Sequence, residues 1–100
     1  MLYNMSTHGD EVVVRLSEAL IFEDHERFRE VLGALSKTKC KRCVLDLSSV
    51  TSVDSAGLGM LMIAYQDSRQ RRYDLVLQGP TGQVKRLLQI TDLGKVVRIQ

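Results

Sequence analysis

A chain of 100 residues with 44% hydrophobic and 26% charged side chains has the composition of one soluble globular domain, expected to span residues 1–100. A net charge of +2, no tryptophan and 5% aromatics offer neither the basic footprint nor the stacking platforms of nucleic-acid binding. No apolar run nears the roughly 18 to 20 residues of a membrane span, and MLYNMSTHGDE lacks the regions of a secretory signal, so a cytoplasmic protein without membrane insertion is expected.

Met1 to Thr7 is a weak strand candidate, joined by His8-Gly9-Asp10 to a clearer strand, Glu11 to Leu16 (EVVVRL). A helix follows from about Glu23 to Ser36, with Phe28, Val31, Leu32 and Leu35 at 3.6-residue spacing and Glu23, Asp24 and Glu26 where the helix dipole favours acids. His25 lies beside that stripe and reads as an edge-of-core residue. Cys40-Lys41-Arg42-Cys43 leads into a strand, whereas a redox Cys-x-x-Cys follows a strand and opens a helix. With only His8 and His25 as further soft ligands, no zinc set assembles, so neither metal nor cofactor is expected and Cys43 reads as a small apolar residue.

Arg42 to Leu47 is the strongest strand, apolar enough for a central parallel position. Ser55 to about Arg69 is the second long helix, and the cations Arg69, Arg71 and Arg72 at its end suit the dipole. Asp74 to Gln78 is a strand, Gly79-Pro80-Thr81-Gly82 a turn, and Thr81 can cap a helix in which Val84, Leu87, Leu88 and Thr91 share a face, with Gly94 as its stop. Val96 to Ile99 closes the pattern as a strand. Right-handed crossovers then give a small α/β sandwich: a mostly parallel sheet, an antiparallel N-terminal hairpin and helices packed on the sheet.

The junction VTSVDSAGLGM, Val50 to Met60, stands at the carboxyl end of the central strand, where open α/β sheets meet ligands and partners. Asp54 or Ser55 can cap the helix. Gly57 and Gly59 each cost about 1 kcal/mol relative to alanine within a helix, which implies close packing on a strand or approach by something else. By spacing, Leu58, Leu61, Met62 and Tyr65 form a core face. Ala56, Met60 and Ile63 fall outward, where small and apolar residues mean either a partner surface or a cover from the same domain. Ser55 lacks the surroundings of a nucleophile. The residue two before it is Val53 instead of glycine, no histidine follows it, and Gly59 is followed by Met60 where a P-loop needs lysine. A binding protein is therefore expected, not an enzyme. A phosphate on Ser55 would be tolerated by the helix N-terminus. Beside Asp54 and an apolar face, it would repel a docked partner.

The run VLDLSSVTSVDSAGLGMLMIAY resembles the signature of the STAS domain, shared by bacterial anti-sigma factor antagonists and the cytoplasmic tails of sulfate transporters, and RYDLVLQGPTGQVKRLLQITDLGKVVRI resembles that family's second half. The resemblance covers roughly Glu11 to Ile99. It implies a partner-switching mechanism. The serine matched by Ser55 is phosphorylated by an anti-sigma factor that is also an ATP-using serine kinase, and a metal-dependent serine/threonine phosphatase removes the phosphate. Only the unphosphorylated form binds the anti-sigma factor. In this picture Asp54, Ser55, Gly57, Leu58 and Gly59 shape the docking site, and Ala56, Met60 and Ile63, outward by spacing, complete the expected partner surface; a monomer or weak dimer is expected. The chain departs from the family pattern in four places, one of them the absence of the helix expected after the final strand. Leu16-Ser17-Glu18-Ala19-Leu20 keeps the acid but not the aspartate of a Gly-Glu-Leu-Asp-like turn, Ala56 replaces a second serine, and Arg71-Arg72-Tyr73 replaces a glycine-rich turn. Similar small STAS proteins sit on the ATPase of lipid-transport ABC machinery without phospho-switching, which is the alternative expectation.

Overall fold

The computed structural model describes residues 1–100. Its five-stranded sheet has the order β1-β2-β3-β4-β5, formed by Leu2–His8, Glu11–Leu20, Arg42–Val53, Asp74–Gln78 and Arg98–Ile99. β1 is antiparallel to β2, and every other pair is parallel. The crossovers carry α1 (His25–Ser36), α2 (Ser55–Arg71), α3 (Gly82–Ile90) and a short α4 (Leu93–Val96). Strands that follow one another in chain order through right-handed crossovers place all their helices on one face. Packing agrees. Val12, Val14 and Leu16 of β2, Cys43, Leu45 and Leu47 of β3, and Leu75 and Leu77 of β4 share one core with Phe28 and Val31, Met60 and Leu61, Val84 and Leu88, and Leu93.

The alternating strand residues face away from the helices, yet Val44, Asp46 and Val76 are also buried. Polar side chains bond to one another across this second face. Arg15 Nε donates to Asp46 Oδ2 at 3.3 Å, and Arg42 Nη2 reaches Gln100 Oε1 at 3.4 Å. Ser48 donates to Asp46 Oδ1 from its backbone N–H (3.0 Å) and its hydroxyl (2.7 Å). Burial alone would raise the Asp46 carboxyl, but these donors and the Arg15 guanidinium hold it below the usual carboxylate range.

The central strand runs six residues beyond the expected Leu47, because its period changes. Asp46 pairs with Arg15 and Ser49 with Ser17, and then Val50 with Glu18 and Val53 with Leu20. Each step gives β3 one residue more than β2, so each is a β-bulge. Core residues that alternate at 43, 45 and 47 continue at 50 and 53, which breaks the two-residue rhythm without ending the strand. For the same reason Leu16 to Leu20 is strand and not turn, with Glu18 in the left-handed region (φ 66°) at the second bulge.

Other expectations shift locally. The first helix begins at His25 after a 3₁₀ turn at Phe22–Asp24, and Asp24 turns inward to accept from Ile21 N–H at 2.9 Å. His25 is exposed and meets the Phe22 ring edge-on, with centroids 5.1 Å apart, so it is not part of the core edge. Thr81 precedes α3 without a side-chain cap bond. Gly94 lies within α4 and does not stop α3; a Cβ there would strike the carbonyl oxygen of Leu88. The last strand shortens to Arg98–Ile99, since Val96 ends α4 and Val97 turns into the core.

Candidate functional site

β4 pairs with β3 only as far as Asp46, so the end of β3 projects past the sheet with β2 on one side. On its other side the Gln83 amide substitutes for a strand: Oε1 accepts from Val53 N–H at 3.0 Å and Nε2 donates to Val53 O at 2.9 Å. The chain then turns at Asp54, the N-cap of α2. Asp54 Oδ1 accepts from Gly57 N–H at 2.7 Å, and Oδ2 accepts from Phe22 N–H at 3.2 Å. One carboxylate thus caps the helix and ties it to the 3₁₀ turn, while Asp54 N–H donates to Leu20 O at 3.3 Å. The choice between Asp54 and Ser55 as cap is settled for Asp54.

Ser55 is left exposed at the first position of α2, and its hydroxyl makes no hydrogen bond within the chain. No base within the chain activates it, so what the geometry offers is an acceptor hydroxyl at the positive end of a helix dipole.

The two glycines separate into two roles. Gly57 is buried, and a Cβ there would run into the carbonyl oxygen of Leu20, so this position is thinned to let α2 lie on the end of β2. At Gly59 a Cβ would meet nothing within 4 Å, and the residue lies on the outward side. Only the first is explained by packing.

The inward face of α2 consists of Gly57, Met60, Leu61, Ala64 and Ser68. This corrects two expectations. Met60 is 1% exposed and belongs to the core, not to a docking surface; Met62, expected inward, is 44% exposed. The contact of Gly57 with Leu20 fixes the rotation of the helix and brings Met60 one turn later onto the same side. Leu58 and Tyr65 are half-buried flanks, and Ala56 is half-buried beside Ser55. The outward stripe is therefore Ser55, Gly59, Met62, Ile63 and Gln66, with Ile63 at 48% exposure. Between α2 and α4 the stripe borders a groove of about 230 Å³ lined by Met62, Tyr65, Gln66, Asp92, Leu93 and Val96. Phe22, 64% exposed, adds an apolar side chain on the turn tied to Asp54. Phe22 and Gln83 carry no local sequence signal for this role, since both act through contacts about 30 residues away.

Cys43 is buried, and burial first, then the neighbouring Cys40 and Asp67, pushes its thiol up to about 12, which suits a packing residue and not a thiolate nucleophile. No cluster of His, Cys, Asp and Glu has the arrangement of a metal site, and no helix is long and apolar enough to cross a membrane.

Comparison with known proteins agrees with this architecture. Residues 3–98 match the family model described as Mlab, STAS domain. The anti-sigma-B factor antagonist of Listeria monocytogenes is 39% identical over 56 residues, 56% of this chain and 49% of that protein. The chain thus spans about half the length of the Listeria relatives it matches. The anti-sigma F factor antagonist of Paenibacillus polymyxa is 28% identical over 96 residues, covering 95% of this chain and 82% of the relative. A crystal structure of a candidate anti-sigma factor antagonist from Thermotoga maritima superposes with a TM-score of 0.87 at 26% identity, over 97% of this chain and 84% of that one. With the fold, the projecting end of β3 and the family match in hand, the chain belongs to the STAS domain family.

Proposed function

We propose that this chain is an anti-sigma factor antagonist that works by partner switching. Its unphosphorylated form docks an anti-sigma factor that is also a serine kinase. Phosphate on Ser55 releases that partner, and a serine/threonine phosphatase resets the switch. The observation that carries the reading is the placement of Ser55: an exposed, unbonded hydroxyl at the head of a stripe whose next members, Gly59, Met62 and Ile63, are uncharged and open to solvent. A phosphoryl group there adds about −1.5 to −2 charges where an apolar partner must desolvate, next to the Asp54 carboxylate. The helix dipole favours that charge in the free protein, so the modification disfavours docking more than folding. The names of the relatives supply the partner class.

The resemblance to small STAS proteins of lipid-transport ABC machinery supports a second reading: a constitutive STAS subunit on such an ATPase, using the same stripe without phosphate. Phosphopeptide mapping of the protein recovered from its own cells separates the two. Phosphate on Ser55 that varies with growth condition is the expected result. Ser55 unmodified in every condition, in a protein that stays bound to a transporter ATPase, contradicts partner switching.

A further inference from the structure

The two edges of the sheet are built differently. β5 is two residues long and carries Arg98. β1 is seven residues, LYNMSTH, with no proline and no Lys, Arg, Asp or Glu, and its register on β2 runs unbroken from Leu2 to His8. Edge strands are ordinarily kept from pairing by shortness, charge, proline or a bulge, and β1 has none of these.

The hairpin fixes which backbone groups are free. A two-residue turn at Gly9 and Asp10, with Gly9 at φ +61°, makes His8 and Glu11 a hydrogen-bonded pair. Counting back by twos, Leu2, Asn4, Ser6 and His8 turn their N–H and C=O groups to β2. Tyr3, Met5 and Thr7 turn theirs to the open edge. No turn or loop hydrogen bond reaches these outward groups, and the Arg27 guanidinium donates to Met1 O at 2.7 Å, outside the strand.

We infer that β1 is a self-association strand: two copies of the chain pair antiparallel along β1 and join their sheets into one. A second copy is the occupant because the edge is complementary to itself in a single register. With Met5 opposite Met5 of the second copy, Tyr3 stands opposite Thr7 and Thr7 opposite Tyr3, so every outward N–H meets an outward C=O. A slip of two residues leaves Tyr3 or Thr7 without a backbone partner, and a slip of one turns the free groups away from each other. Side chains match as well. On the helix side Met5 meets Met5 and Tyr3 lies across from Thr7. On the far side Asn4 lies across from Ser6 and Leu2 from His8. No like charges oppose each other anywhere along the strand. The two-fold axis stands perpendicular to the sheet. Both helix layers therefore lie on one side, and the two α2 stripes point to opposite ends of the dimer, free to dock two partners.

Sedimentation velocity of the full chain over a concentration series tests this, with two double variants at exposed side chains. Asn4→Lys/Ser6→Lys sets ammonium groups opposite each other across the two-fold axis and is expected to raise the dimer Kd about tenfold, whereas Asn4→Lys/Ser6→Glu sets opposite charges there and restores it. Amide exchange gives an independent signature. Tyr3, Met5 and Thr7 gain protection as concentration rises, while Asn4 and Ser6 are protected at every concentration. A chain that stays monomeric throughout, or a dimer that both double variants leave equally strong, overturns the inference. So does an edge that takes up a strand of a different protein while the chain remains monomeric.

Discussion

The two halves of α2 obey different rules. From Ser55 to Gln66 the helix carries no charge, and its outward side bears Gly59, Met62 and Ile63. From Asp67 to Arg71 it is polar and well engaged. Arg71 Nε donates to Asp67 Oδ1 at 2.8 Å, the Tyr73 hydroxyl donates to Asp67 Oδ2 at 2.8 Å, and Arg72 ends the helix in the left-handed region at φ 61°. The acid of the second half has its partners in the chain, and its cations sit where the dipole wants them. The first half exposes apolar surface that nothing in the chain covers. The difference teaches where to look for function: at residues the fold leaves unexplained.

The contrast is sharpest at the glycines. Gly57→Ala is expected to destabilise by about 2–3 kcal/mol, since its methyl meets backbone at Leu20 and the core must shift. Gly59→Ala meets nothing and is expected to stabilise by up to about 1 kcal/mol through helix propensity. Urea unfolding of both variants checks the pair. Equal effects would mean that the two positions do not differ as described.

Met62→Ser/Ile63→Ser probes the uncovered surface. Folding stability should move by about 0.5 kcal/mol or less per site, because both side chains are already half in water. Partner affinity should fall at least about tenfold if they anchor the interface, as measured by calorimetric titration.

Tyr73→Phe tests the engaged half and is expected to cost about 1 kcal/mol near neutral pH. Burial first, then the bond to the Asp67 carboxylate and its charge, raises the Tyr73 phenol above its ordinary value. A group whose folded pKa is raised stabilises fully below its unfolded value, near 10 for tyrosine, and that stabilisation is lost as pH climbs toward the folded value. The buried Cys43 thiol acts in the same direction from about pH 8.5 upward. Unfolding titrations between neutral pH and about pH 11 should show a falling alkaline limb that Tyr73→Phe makes shallower.

Much of this is legible in the sequence. The strand character of EVVVRL, the continuous apolar run in RCVLDL, the helical stripes of α1 and α3, and the His8-Gly9-Asp10 turn suffice for the order of elements and the antiparallel hairpin. Two features are not. β3 reads as ending at Leu47 because bulges replace its two-residue rhythm, and bulges depend on the register of a partner strand. The rotation of α2 reads about one residue out of phase, which puts Met60 outside and Met62 inside. The first half of α2 is apolar nearly all round, so spacing has no unique phase there, and what fixes it is the contact of Gly57 with Leu20, distant in sequence. The tie from Asp54 to Phe22 and the clamp of Gln83 on Val53 are invisible for the same reason.

The most direct test of the account is affinity capture from lysate of the source organism with wild type, Ser55→Ala and Ser55→Asp as parallel baits, followed by mass spectrometry. The expected result is a protein, identifiable by a serine-kinase domain, that wild type and Ser55→Ala retain and Ser55→Asp loses. The same partner held equally by all three baits would contradict it, and would leave Ser55 as an ordinary first residue of a capped helix.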